Sequence, residues 1–347
     1  MSERACSENR AETIPDGAKS EAMGEKVKGR LLIIGGAEDK TGEMEILREA
    51  VRLVGGGRMV VMTTATEHPE EAGTAYRALF LGLGAKEVEA LRVDTRREAS
   101  GPEAPNALRR ADAVFFTGGD QLRITSILGG TATYQALHEA YRRGALIAGT
   151  SAGASALSST MITDGLNNDQ ARKCTLKMAP GLGLLEQALI DQHFAQRGRL
   201  GRLLCGVAEN PHVLGIGIDE DTAIRIEPDA RFFVLGSGAV TVIDGITIQD
   251  SNVSELAPNE ILAIQGVTLH VLPRGYGYDM LTRLVLSPGR PDPAAARQSL
   301  YSEVATREHP FDQNLSRAQC GLLEAGGPAD GGPGRRRGSA HFTASGI

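Results

Sequence analysis

The chain has 347 residues, 41% of them hydrophobic, and a formal net charge of -6. That size supports one large core or at most two domains, and the acidic balance excludes a dominant nucleic-acid-binding face. No stretch approaches about 18 uninterrupted apolar residues, so no membrane span is expected, and the polar N-terminus lacks the apolar core of a secretory signal.

Residues 1–28 read as a disordered arm. From Arg30 the pattern changes. "LLIIGG" (31–36), a short apolar run ending in glycines, predicts a buried strand. "GEMEILREAVRLVG" (42–55) spaces its apolar residues as a helix does, "RMVVMTT" (58–64) predicts a second strand and "EEAGTAYRALFLGLG" (70–84) a second helix. "VEALRV" (88–93) and "DAVFFTGGD" (112–120) predict further strands, "TYQALHEAYRRG" (133–144) a helix and "ALIAGT" (145–150) a fifth strand. Strand and helix alternate at short spacing, which indicates an α/β layered fold around a mainly parallel sheet. In such sheets function collects beyond the carboxyl ends of the strands. Three of those ends are glycine-rich here: "GGAED", "TGGDQ" and "GTSAG".

After residue 210 the texture turns to β, with "HVLGIGIDEDTAIRIE", "RFFVLGSGAVTVIDG", "ILAIQGVTLHVLPRG" and "YDMLTRLVL" reading as strands joined by turns. The segment 291–347 is expected to be a C-terminal extension with one helix and then a Gly/Pro-rich disordered tail. Cys6, Cys174, Cys205 and Cys320 are far apart and form no CxxC, so they read as reduced thiols of a cytoplasmic protein. The seven histidines show no metal-binding spacing, and neither a metal nor another cofactor is expected.

Ser151 is the centre of a G-x-S-x-G at a strand end. That is the pattern of a nucleophile elbow, or alternatively of a close-packed strand–helix turn with an idle serine. A serine nucleophile needs a base. "ALIDQHFAQRGRL" (188–200) supplies His193 directly after an apolar run, among Asp191, Gln192, Gln196, Arg197 and Arg199. The histidine needs a carboxylate to orient it, and "GIGIDEDTAI" (215–224) offers Asp219, Glu220 and Asp221, among which alternation does not choose. The order Ser, His, acid differs from that of the α/β-hydrolases. The N–H groups of Gly118, Gly119 and Ala152 are candidates for stabilising an oxyanion. Arg197, Arg199 and Arg202 suit bidentate binding of substrate carboxylates.

With "LLIIGGAEDK", "FFTGGDQLRI", "GTSAGASAL", "DQHFAQRGRLGRL", "GIGIDEDTAI" and "LPRGYGYDMLTR" present in this order, the chain resembles the cyanophycinases over residues 29–288. The resemblance implies a cytoplasmic, homodimeric serine exopeptidase. Such an enzyme degrades cyanophycin, a polymer with an aspartate backbone and arginine on each β-carboxyl, to β-Asp-Arg dipeptides. It further implies a three-layer sandwich like the class I glutamine amidotransferases, with 29–290 as one catalytic domain and a β-rich C-terminal part. Ser151, His193 and Glu220 are then the triad, and Gln121, Asp191, Gln192, Arg197, Arg199 and Arg202 line the substrate site. The first half of "TDGLNNDQARKCTLKMAPG" (163–181) departs from the family pattern and is expected to border the site. The alternatives are an aspartyl dipeptidase of the same wider family and a non-catalytic binding protein on this fold.

Overall fold

The computed structural model describes residues 29–165, 170–173 and 176–290, all within the first of two compact units, Met1–Ala295. The expected N-terminal arm, the C-terminal extension, Cys6, Cys174 and Cys320 lie outside the described residues.

The first half alternates as the sequence predicts: β1 (Arg30–Ile34), α1 (Glu45–Leu53), β2 (Arg58–Met62), α2 (Pro69–Gly82), β3 (Glu87–Leu91), α3 (Arg96–Ser100), α4 (Glu103–Arg109), β4 (Ala113–Phe116), α5 (Gln121–Leu128), α6 (Ala132–Arg143), β5 (Leu146–Thr150) and α7 (Ala152–Ala156). The short helices α3 and α4 escape a periodicity reading because neither completes two turns. Local chemistry marks the starts of α3 and α5. Thr95 and Glu98 form a capping box on α3, and Asp120 accepts from the Leu122 N–H at the start of α5. Strands β1 to β5 form the parallel core of the main sheet, in the order β1-β5-β4-β2-β3.

The second half contributes β6 (Thr160–Gly165), β7 (Leu176–Pro180), β8 (Ala188–Gln192), α8 (Leu200–Glu209), β9 (Leu214–Ile218), β10 (Thr222–Ile226), β11 (Arg231–Gly236), β12 (Ala239–Asp244), β13 (Asp250–Ser251), β14 (Ile264–Gln265), β15 (Thr268–Pro273), β16 (Gly277–Asp279) and β17 (Leu284–Leu286). The β-rich region divides between two sheets. β10, β11, β16 and β17 extend the main sheet antiparallel from β1 to nine strands. β15, β12, β9 and β8 form a second sheet of four. The segment 163–181 contributes to a hairpin of β6 and β7, with 166–169 and 174–175 outside the described residues.

The main sheet is buried on both faces, which is why its central strands read as continuous apolar runs. One face packs Leu32, Ile34, Met59, Val61 and Phe115 against α1 and α2. There the Tyr76, Phe80 and Phe115 rings meet with centroids 4.8 to 6.0 Å apart. The opposite face packs Leu31, Ile33, Val60, Phe116 and Ile147 against the remaining helices of the first half and the second sheet. The result is three layers. The carboxyl ends of β1, β4 and β5 lie side by side, with Ile34 level with Thr150 and Phe116 level with Gly149.

Candidate active site

Ser151 follows β5 directly. A Cβ on Gly149 would meet the Gly153 backbone at 2.5 Å, and one on Gly153 would meet the Phe116 carbonyl at 2.5 Å. Only glycine at these two positions lets α7 pack so closely on β5 and β4. The turn puts Ser151 at φ 53° and ψ -112°, a conformation an L-residue holds only when its surroundings over-determine it. The Ser151 N–H donates to the Ile34 carbonyl at 3.0 Å. The side chain stands at the sheet end, as in a nucleophile elbow.

His193 directly follows β8 of the second sheet, yet its N–H donates to the carbonyl of Gly35, just past β1 of the main sheet, at 2.8 Å. Its Nε2 lies 2.9 Å from Ser151 Oγ and its Nδ1 2.6 Å from Glu220 Oε1. With the carboxylate accepting from Nδ1–H, the other ring nitrogen is left to accept from the serine hydroxyl. Gly36, at φ 101°, packs against the imidazole face, where a Cβ would come within 2.4 Å of Cε1. The sequence reading did not single Gly36 out. Its only signal was the glycine pair that ends β1.

The three acids of the turn between β9 and β10 separate by what they touch. Asp219 accepts from the N–H groups of Ala195 at 3.0 Å and Ala239 at 3.1 Å. Asp221 accepts from the Asp39 N–H at 2.9 Å and the Ser237 hydroxyl at 2.7 Å. Glu220 alone of the three reaches His193, and Gln196 accepts from its backbone N–H at 3.0 Å. The turn joins the second sheet to the main one, so it lies between the histidine and the strand ends.

Gly118 lies beside the serine, a Cβ on it falling 3.9 Å from Ser151 Oγ. Among the described residues, no backbone carbonyl accepts from the N–H of Gly118 or Gly119. Ala152 opens α7, so its N–H has no intrahelical acceptor. These are the donors that sequence reading assigned to an oxyanion.

The expected substrate-lining residues fall into two groups. Arg197 is exposed. Asp191, Arg199 and Arg202 are buried together, at 1%, 5% and 4% exposure. Arg202 donates to both Asp191 oxygens, and Arg199 donates to Asp191 at 3.2 Å and to the Gln192 side chain at 3.0 Å. Gln121 donates from Nε2 to the carbonyls of Ile162 and Thr163, each at 2.9 Å, and so fastens the β6–β7 hairpin beside the site. Among the described residues no cluster of three or more His, Cys, Asp or Glu side chains is arranged to hold a metal, and no helix is long and apolar enough to cross a membrane.

Burial lowers the pKa of His193, and the nearby positive charges of Arg197 and Arg199 act in the same direction. The hydrogen bond to Glu220 pulls the other way. For a histidine acting as a base in its neutral form, a lowered pKa extends competence to more acid pH. The acid limb of kcat/KM is therefore expected below the ordinary histidine value of about 6.5. Arg197→Gln should move that limb upward, because it removes a charge that disfavours imidazolium. A pH–rate profile of the two proteins checks both shifts, and a limb above 6.5 in the unaltered protein contradicts the assignment.

The model of peptidase family S51 matches residues 31–233. The chain is 38% identical over 261 residues to a cyanophycinase from Synechococcus elongatus, covering 74% of this chain and 81% of that one. It is 37% identical over 262 residues to a cyanophycinase from a Nostoc species, covering 75% and 88%. To a cyanophycinase from Geminocystis herdmanii it is 34% identical over 263 residues, covering 75% and 97%. Among solved structures, a peptidase from an acI-B1 actinobacterium aligns with a TM-score of 0.53 and 22% identity over 71% of this chain and 98% of that one, a likeness of fold.

Proposed function

The chain belongs to peptidase family S51, and from that premise we propose that it hydrolyses cyanophycin to β-Asp-Arg dipeptides as a serine exopeptidase. The observation that carries the mechanism is the unbroken chain Ser151–His193–Glu220, with contacts of 2.9 and 2.6 Å. His193 Nε2 takes the Ser151 proton as Oγ attacks the backbone carbonyl of the polymer. Glu220 holds the tautomer and stabilises the imidazolium that forms. The N–H groups of Gly118, Gly119 and Ala152 receive the developing oxyanion. His193 then returns the proton to the leaving amine, and water, activated by the same base, releases the acyl group.

Each polymer unit brings carboxyl and guanidinium groups, so its recognition calls for cations and for acidic or amide acceptors. Arg197, exposed beside the base, suits a substrate carboxylate. Asp191, Gln192, Arg199 and Arg202 form a mutually paired wall under the DQH turn, and Gln121 anchors the hairpin opposite. The resemblance also carries a homodimer and a cytoplasmic location.

The test is mass analysis of products after incubating the purified protein with cyanophycin and, separately, with α-linked Asp-X dipeptides. Release of β-Asp-Arg from the polymer is expected. An intact polymer with cleaved dipeptides overturns the reading in favour of an aspartyl dipeptidase, and no cleavage of either in favour of a binding protein.

A further inference from the structure

Glu38, in the "GGAED" loop after β1, has no place in the mechanism above, yet it is 4% exposed. One carboxylate oxygen accepts from the Tyr76 hydroxyl at 2.5 Å and the other from the Thr150 hydroxyl at 2.6 Å. The Lys40 ammonium stands 3.4 Å away and lies over the Tyr76 ring, 4.8 Å from its centroid. Burying a carboxylate among the β1 and β5 ends is costlier than packing them with apolar side chains, unless the charge secures a particular geometry.

What it secures is the residue before the nucleophile. Thr150 is the last residue of β5, and Ser151 follows in its strained turn. The same loop also touches the histidine and the turn that holds the acid. Gly36 packs on the His193 ring, the Gly36 carbonyl accepts from the Asp221 N–H at 2.9 Å, and the Asp39 N–H donates to the Asp221 carboxylate. We infer that Glu38 is a positioning residue. Through Thr150 it locks the nucleophile elbow to the loop that also packs on the histidine and bonds to the acid turn. The inference rests on the reading of Ser151 as nucleophile.

The test compares Thr150→Val, Thr150→Ser, Glu38→Gln and the double variant Glu38→Gln/Thr150→Val. Two rates are read: covalent labelling of Ser151 by a fluorophosphonate, and steady-state hydrolysis of cyanophycin. Thr150→Val keeps the shape but removes the hydroxyl. It should slow labelling and kcat on the order of 10- to 100-fold, the scale of a small misplacement of a reacting group, with KM changed less than threefold. Thr150→Ser should restore most of the loss. The double variant should be little worse than either single one, because both remove the same contact. If Thr150→Val does not fold, Glu38→Gln against Glu38→Asp carries the comparison. Labelling of Thr150→Val at the wild-type rate overturns the inference and leaves the nucleophile standing. Failure of the wild-type protein to label overturns both.

Discussion

Ser151→Ala is expected to fold normally and to lose turnover by on the order of 10³-fold or more. Among the described residues Ser151 Oγ makes one hydrogen bond, to His193 Nε2, so its removal unpairs a single ring nitrogen, a cost of about 1–3 kcal/mol at most. Alanine has the same steric preferences at φ 53°, and the Ser151 N–H keeps its bond to Ile34. What disappears is the atom proposed to form the acyl-enzyme. The oxyanion donors on Gly118, Gly119 and Ala152 remain, so residual catalysis above that in water is expected. Thermal unfolding measured beside kcat on cyanophycin separates the two effects. A folded variant with wild-type turnover would remove Ser151 from the mechanism.

Glu220→Gln is expected to reduce kcat by on the order of 10³- to 10⁴-fold, because an amide facing Nδ1 favours the wrong tautomer of the base. The neighbouring changes serve as internal controls. Asp219→Asn and Asp221→Asn each weaken carboxylate contacts to backbone N–H groups, or in the second case to Ser237 as well. Each should cost roughly 1–2 kcal/mol of stability with a far smaller effect on kcat. Among the described residues the Glu220 carboxylate bonds to one partner, His193, whereas each aspartate accepts from two, so its loss should lower the unfolding temperature least of the three. Equal losses of kcat at all three positions would sink the assignment of Glu220 as the acid.

Ser151 and His193 were legible in the sequence because their placement is local. An apolar run long enough for one buried strand, then small residues or a polar turn, puts the next side chain at the sheet end whatever the rest of the chain does. The parallel core was legible for the same reason. The family likeness added Glu220, which the pattern of residues had left level with Asp219 and Asp221. The tertiary structure separates these three by geometry. The turn between β9 and β10 crosses from one sheet to the other, and which carboxylate faces the imidazole depends on how the two sheets meet.

The burial of Arg199 and Arg202 was equally hidden. A basic run beside a candidate site reads as free to bind substrate carboxylates until Asp191, 8 and 11 residues upstream, is brought beneath it. Glu38 looked like one more acid in a polar loop. Only the tertiary packing that brings Tyr76 of α2 and Thr150 of β5 to this loop surrounds it. Periodicity reports which face of an element is apolar. It carries no information about which polar group on a distant element will share that face, because that pairing is set by the packing of layers.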